Sequence, residues 1–318
     1  MIQVYENING ALNALPPESV LNGQSFFGCW VNMVNPDDKE IELVCKKTGV
    51  AEDLIKSALD EEETSRIEMD DCASMVLFNI PVIEDEEEYY TYSTLPFAYI
   101  RGGGAVITVC LNETTLTTDF VNGRVKDFSI KKPTRFLLQI LYKTAVKFLQ
   151  YLKQIDKASQ RIQSELHKSM KNKELIQLLD LENSLVYFST ALRTNQVVLD
   201  KLQRIEKNNF YEEDEDLWED VSIENRQALE MCNIFRDILT GTMDAFASLI
   251  SNNLNIVMKL LAALTILIAV PSMIAAFWGM NTKVPWEGKI WGFWIVIGIS
   301  VVSCIVTGLI LFKKKMLK

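Results

Sequence analysis

The stretch Ala275-Ala276-Phe277-Trp278-Gly279-Met280-Asn281 closes one apolar run and precedes a short loop and a second apolar run. Asn281 brings an amide oxygen, and Gly279 leaves backbone carbonyls accessible, so the stretch offers acceptors to a cation or its bound water. Upstream, steps of three and four residues pick out Asn255, Met258, Ala262, Thr265, Ala269, Ser272, Ala276 and Gly279. On a helix these share one face, which is small and partly polar from Ala262 onward. Two uses fit such a face. One is close helix packing of the small-xxx-small kind, which needs no pore; the other is the wall of a narrow pore made by several identical helices. The remaining faces carry Leu260, Leu264, Ile266, Leu267, Ile274 and Phe277, suited to lipid or to a second helix.

Little else in the chain could do chemistry. The glycine triplet Gly102-Gly103-Gly104 has no following helix start and no Lys-Ser/Thr, so it reads as a hairpin turn and not a phosphate cradle. One histidine, His167, stands mid-helix, and neither Gly-x-Ser-x-Gly nor His-Glu-x-x-His occurs. A membrane-anchored enzyme or sensor is therefore the weaker alternative, and it would not require a small polar stripe ending at Asn281.

The elements that position these residues follow from hydropathy. Ile256–Trp278 contains one charge, Lys259, and Ile290–Phe312 contains none. Each run makes about 34 Å of helix, enough for a hydrocarbon core of about 30 Å. Two membrane helices are thus expected, joined by a tight turn over Met280–Lys289. Two helices cannot enclose an aqueous path, so a channel would need several copies around an axis. No proline and only Gly241 separate the first span from the helical pattern starting near Leu217. One continuous helix from about Leu217 to Met280 is expected, with Pro271 tolerated inside the span.

Ahead of the spans, the first third reads as a small α/β domain. Phe26–Val34, Met75–Val82, Thr91–Ile100 and Ala105–Leu111 read as strands; Val50–Asp60 has one apolar helical face, and Asp37–Glu40 opens another helical segment. Glu84–Glu88 reads as an acidic turn, and residues 1–20 are weakly patterned. From Pro133 two long helices, Phe136–Asn172 and Lys173–Asn208, are expected to pack antiparallel, and an acidic cluster over Asn208–Asp220 interrupts before the third. The expected organisation is an α/β domain over 1–132, long helices over 133–253, a first span over 254–281, a loop over 282–289, a second span over 290–312 and a basic tail over 313–318.

The net charge of −10 is uneven. The first 250 residues hold 25 basic and 41 acidic side chains, whereas the remainder holds seven lysines and only Glu287. Such a surface repels nucleic acid and anionic lipid and attracts cations. Six scattered cysteines without a Cys-x-x-Cys pair or a secretory leader read as free thiols in a reducing compartment. The tail Lys313-Lys314-Lys315-Met316-Leu317-Lys318 places both termini on the cytoplasmic side of a cell membrane.

Gly279-Met280-Asn281, set between two C-terminal spans, resembles the signature of the CorA-type divalent-cation transporters. The resemblance extends to Trp30–Pro36, Leu59-Asp60-Glu61 with Ser65-Arg66, Glu224–Ala228, Asn252–Asn255 and Met258-Lys259. It implies a homopentamer in the bilayer, with a cytoplasmic α/β funnel whose long helix continues into the pore. It also implies carriage of Mg²⁺ and often Co²⁺ or Ni²⁺. By position, pore-facing residues fall on Asn255, Met258, Leu261, Thr265, Ser272 and Asn281, with Gly279, Met280 and Asn281 as the filter. The loop Thr282–Glu287 is less acidic than a common family version. On this resemblance a ring of Asn281 amides recognises hydrated Mg²⁺, which dehydrates reluctantly. Met258 and Leu261 form an apolar constriction that closes by dewetting, and Asn255 marks the inner mouth. Inward flow then needs no ATP site, because two charges crossing 100 mV gain about 4.6 kcal/mol. Regulation by cytoplasmic Mg²⁺ bridging carboxylates between subunits is also implied, with Asp216 and Asp220 as candidates; their plain alternative is a solvated, dipole-complementing face. A ZntB-like zinc transporter with the same tripeptide is the near alternative.

Overall fold

The computed structural model describes residues 1–8, 11–16, 25–70, 72–85, 90–169, 172–206, 212–281, 284, 285 and 289–314. Most of the Glu84–Glu88 turn, the junction before Lys173, residues 207–211, most of the loop after Asn281, and the tail beyond Lys314 lie outside these, as does the side chain of His167. The chain divides into two units, Met1–Gly241 and Thr242–Lys318.

Seven strands form one sheet in the first unit: β1 (Ile2–Ile8), β2 (Ala11–Ala14), β3 (Trp30–Val34), β4 (Arg66–Met69), β5 (Ala73–Asp85), β6 (Tyr90–Gly102) and β7 (Ala105–Cys110). Their order is β2-β1-β3-β7-β6-β5-β4. β3 and β7 run parallel, and every other neighbour is antiparallel. Helices α1 (Asp38–Thr48), α2 (Glu52–Lys56) and α3 (Thr115–Val121) accompany the sheet, with a 3-10 turn at Ser57–Leu59. The long helices are α4 (Pro133–Ser169), α5 (Asn172–Glu206) and α6 (Glu212–Trp278), and α7 spans Ile290–Lys313.

Strand alternation builds two cores, one on each face of the sheet. Val76, Phe78, Phe97 and Tyr99 point to a core shared with Phe136, Leu137, Ile140 and Leu199 of the long helices. Met75, Leu77, Ala98 and Ile100 point the other way, to Ile41, Val44, Leu54 and Ile55 of α1 and α2. Trp30 lies in the first core with no exposed surface. Its ring centroid is 5.0 Å from Tyr5 and 5.2 Å from Phe136. Its indole N–H donates to Thr108 Oγ1 at 2.8 Å, and that hydroxyl donates to Asn32 Oδ1 at 2.9 Å. The Trp30–Pro36 motif is therefore a folding element.

Several expectations change in detail. The strand expected from Phe26 starts at Trp30, because Gly28 takes φ +78° and its N–H donates to the Gly104 carbonyl. The segment Val50–Asp60 splits into α2 and the 3-10 turn. The acidic segment is not an interruption up to Leu217: α6 is already helical from Glu212. β1, β2, β4 and α3 carried too little local pattern to be read. The glycine triplet forms the expected turn: Gly102 pairs with Ala105, and Gly103 and Gly104 take φ +58° and +76°, as a two-residue primed hairpin requires. A Cβ on Gly103 would clash with the Thr48 carbonyl oxygen.

Side-chain amides join the layers. β4 begins at Arg66, opposite Leu77, so Asn79 of β5 has no strand neighbour on that side. Asn195 of α5 takes the missing place: its Oδ1 accepts from the Asn79 N–H at 2.9 Å and its Nδ2 donates to the Asn79 carbonyl at 2.8 Å. Ser65 completes the knot by donating to Asn195 Oδ1. Asn225 then ties α6 to α5, donating to the Leu192 carbonyl and to Gln196 Oε1. Cys232 donates to the Leu185 carbonyl, and burial pushes its thiol pKa up to about 12. Replacing Asn195 with Ala strips two backbone groups of their partners, an expected loss of about 2 kcal/mol. Denaturant unfolding of the detergent-solubilised chain measures it, and a loss below about 0.5 kcal/mol, the low end for one hydrogen bond, would mean that water replaces the amide.

Candidate ion pathway

The second unit contains the end of α6 and all of α7, the two helices long and apolar enough to cross a membrane among the described residues. They form an antiparallel pair. On α6, Ala263 is fully buried and Leu267, Val270, Ile274 and Trp278 are partly covered, while Gly292 and Leu311 of α7 are buried. A Cβ on Gly308 would stand 3.7 Å from Leu267 Cδ1, which fixes the register.

Asn255, Met258, Ala262, Thr265, Ala269, Ser272, Ala276 and Gly279 are all exposed. At about 100° per residue, their face lies roughly opposite the one that α7 covers. The small stripe is thus not the packing face of the helix pair within one chain. Leu261 flanks it, and it and Met258 are more than half exposed.

The hydroxyls on this face have a defined polarity. Thr265 Oγ1 donates to the Leu261 carbonyl and Ser272 Oγ to the Ile268 carbonyl, both at 2.8 Å. Each proton is committed to the helix itself, so what faces outward is lone pairs. The stripe therefore presents acceptors, which suit a cation's water shell.

α6 ends at Trp278, and the Gly279 N–H is shared between the Ala275 and Ala276 carbonyls at 3.1 Å. Met280 and Asn281 follow, exposed, beyond the helix. The carboxyl end of a helix carries partial negative charge, and Asn281 extends that end. Gly279 has no positive φ, and a Cβ there would meet nothing closer than 3.6 Å. The chain's own backbone does not demand glycine at this position.

The candidate regulatory carboxylates lie in the first unit. Asp216 and Asp220 are exposed, one turn apart on α6. The neighbouring Asp214, passed over in the sequence, is the buried member: 2% exposed, with its carboxylate 3.3 Å from the Arg135 guanidinium of α4. No sequence signal marks that pair, because its members are 79 residues apart. Among the described residues no group of three or more His, Cys, Asp or Glu is placed to hold a metal ion.

Residues 28–315 match the model of the CorA-like Mg²⁺ transporter protein family. The chain belongs to that family. It is a family of transporters and not of enzymes. Among curated proteins, the cobalt/magnesium transport protein CorA of Methanocaldococcus jannaschii is 29% identical over 290 residues, 86% of each chain. Among solved structures, the complete CorA magnesium transporter of that organism superposes with a TM-score of 0.80 at 23% identity, over 98% of this chain and 96% of that one. The ZntB cytoplasmic domain of Vibrio parahaemolyticus gives 0.57 at 11% identity, over 80% and 97%. At these identities the superpositions establish a shared fold: a soluble α/β unit with long helices and two C-terminal apolar helices.

Proposed function

We propose that several copies of this chain, five by family resemblance, assemble with their α6 stripes around one axis to form a Mg²⁺ channel. The observation that carries the reading is the stripe from Asn255 to Gly279, uncovered within the chain, turned away from α7 and ending at Asn281. In such a ring Asn281 amides meet the hydrated ion, and the absence of a side chain at Gly279 lets neighbouring backbones approach. Thr265 and Ser272 then accept from the ion's waters, and Met258 and Leu261 narrow the path before Asn255. Both termini lie on the cytoplasmic side, so the membrane potential drives entry without ATP. The relatives named as cobalt/magnesium transport proteins support Mg²⁺ and Co²⁺ as cargo.

The test is ion entry into proteoliposomes with an inside-negative potential and an internal Mg²⁺ dye. Mg²⁺ entry, reduced by competing Co²⁺ or Ni²⁺, is expected. Zn²⁺ entry with an internal pH change and without Mg²⁺ entry would replace this reading with a zinc transporter.

Cytoplasmic Mg²⁺ bridging Asp216 and Asp220 to a neighbouring copy would hold the pore shut. The exposure of both residues supports a site shared between copies. With Asp216→Asn and Asp220→Asn together, the internal Mg²⁺ that halves the flux should rise about tenfold, a weakening of about 1.4 kcal/mol. An unchanged inhibition curve would remove these residues from gating.

A further inference from the structure

Lys259, Lys313 and Lys314 take no part in the ion pathway proposed above. Leu267 and Gly308 lie side by side in the antiparallel pair. Six residues further toward the membrane face where α6 enters, residue 261 is therefore level with residue 314. Lys259 is two residues beyond, about 3 Å along the axis. Ala263 and Leu311, both buried, keep the helices together up to this level.

The opposite end of the hairpin fixes the depth. Trp278 lies 19 residues from Lys259, and Trp294 lies 19 residues from Lys313. Both separations amount to about 29 Å of helix, close to a hydrocarbon core of about 30 Å. With tryptophans at one interface, the three lysines stand at headgroup depth at the other.

Among the described residues, none of the three forms a salt bridge. All three side chains are exposed. The acids flanking them in sequence are Asp244, fifteen residues before Lys259, and Glu287, three residues before α7 begins at Ile290. We propose that Lys259, Lys313 and Lys314 form a basic collar that binds the phosphates of anionic phospholipid headgroups. Their ammonium groups donate to the phosphate oxygens, while the methylene stems lie along the apolar helix surfaces. The acidic soluble surface repels anionic lipid, so this collar is where the chain and such a lipid attract each other.

The proposal rests on the hairpin lying in a bilayer. It is tested with the full-length protein in phosphatidylcholine vesicles doped with spin-labelled phosphatidylglycerol or spin-labelled phosphatidylcholine. The motionally restricted fraction of each label measures association with the protein. The wild type should favour phosphatidylglycerol about fivefold, as a few interfacial lysines allow. Lys259→Gln, Lys313→Gln and Lys314→Gln combined should bring the ratio near one while leaving the restricted phosphatidylcholine unchanged. Lys289→Gln, at the opposite interface, should leave the preference intact. An equal association of both lipids with the wild type, or a preference surviving in the triple variant, overturns the site. Loss of the preference in millimolar inorganic phosphate would also overturn it, since the lysines would then hold a free anion. If no label is restricted at all, the bilayer placement itself fails, an outcome distinct from the other three.

Discussion

Asn281→Ala is expected to abolish Mg²⁺ entry into proteoliposomes while leaving the fold and the oligomer intact. The residue is exposed and lies beyond the end of α6, so its removal has little structural consequence. In the five-copy ring proposed above its functional consequence is multiplied: at about 1 kcal/mol for each amide that meets the ion's water shell, such a ring would lose about 5 kcal/mol, a factor of several thousand in occupancy. Ser272 and Thr265 cannot compensate, since they lie about two and about four turns further down α6. Initial rates at matched protein content decide it: an Asn281→Ala rate above half that of the wild type would move ion selection away from this position. Asn281→Asp should instead retain binding and slow release, because a ring of carboxylates holds a divalent cation more tightly than a ring of amides.

The second large effect is on stability. Trp30→Ala should destabilise the soluble unit by about 4 kcal/mol, the range for deleting a large ring from a packed core. The ring is fully buried and meets Tyr5, Phe120, Phe128 and Phe136, with centroids 5.0 to 6.3 Å away. Trp30→Phe separates the two contributions. It keeps most of the packing but removes the indole donor to Thr108, and a loss of about 1–2 kcal/mol is expected. Thermal or denaturant unfolding followed by near-ultraviolet circular dichroism reads both variants. A Trp30→Ala loss below about 1 kcal/mol, far under the usual cost of such a cavity, would mean that the aromatic cluster repacks around the gap. Neither variant touches α6 beyond Gly241, so flux through surviving protein should be retained.

The amino-acid sequence by itself determined the elements whose signals are local. Two uncharged or nearly uncharged runs can only be long apolar helices, and the spacing of Asn255 through Gly279 places those residues on one face whatever surrounds them. Asp37 and Glu40 form the capping box of α1, each side chain bonding the other's backbone N–H, and Gly102–Gly104 forms a hairpin turn, because both depend on neighbours a few residues away. The Gly279-Met280-Asn281 stretch carried the family resemblance for the same reason. Only the tertiary structure decided which side of α6 is covered: α7 takes the Ala263–Trp278 side and leaves the small stripe free. Only the tertiary structure distinguished Asp214, buried against Arg135, from Asp216 and Asp220. It also showed Ser65 and Asn225 to be ties between layers, and Asn195 to finish a ladder that β4 leaves short. β1 and β4 exist through pairing with β3 and β5, whose own sequences specify them better, and β2 adds to β1. For the covered face of α6, the Asp214–Arg135 pair and the Asn195 tie, the deciding partner lies tens of residues away or more. Hydropathy and periodicity describe a residue's own helix or strand, whereas the choice of buried face, paired charge and strand neighbour is made only when distant segments compete for the same surface.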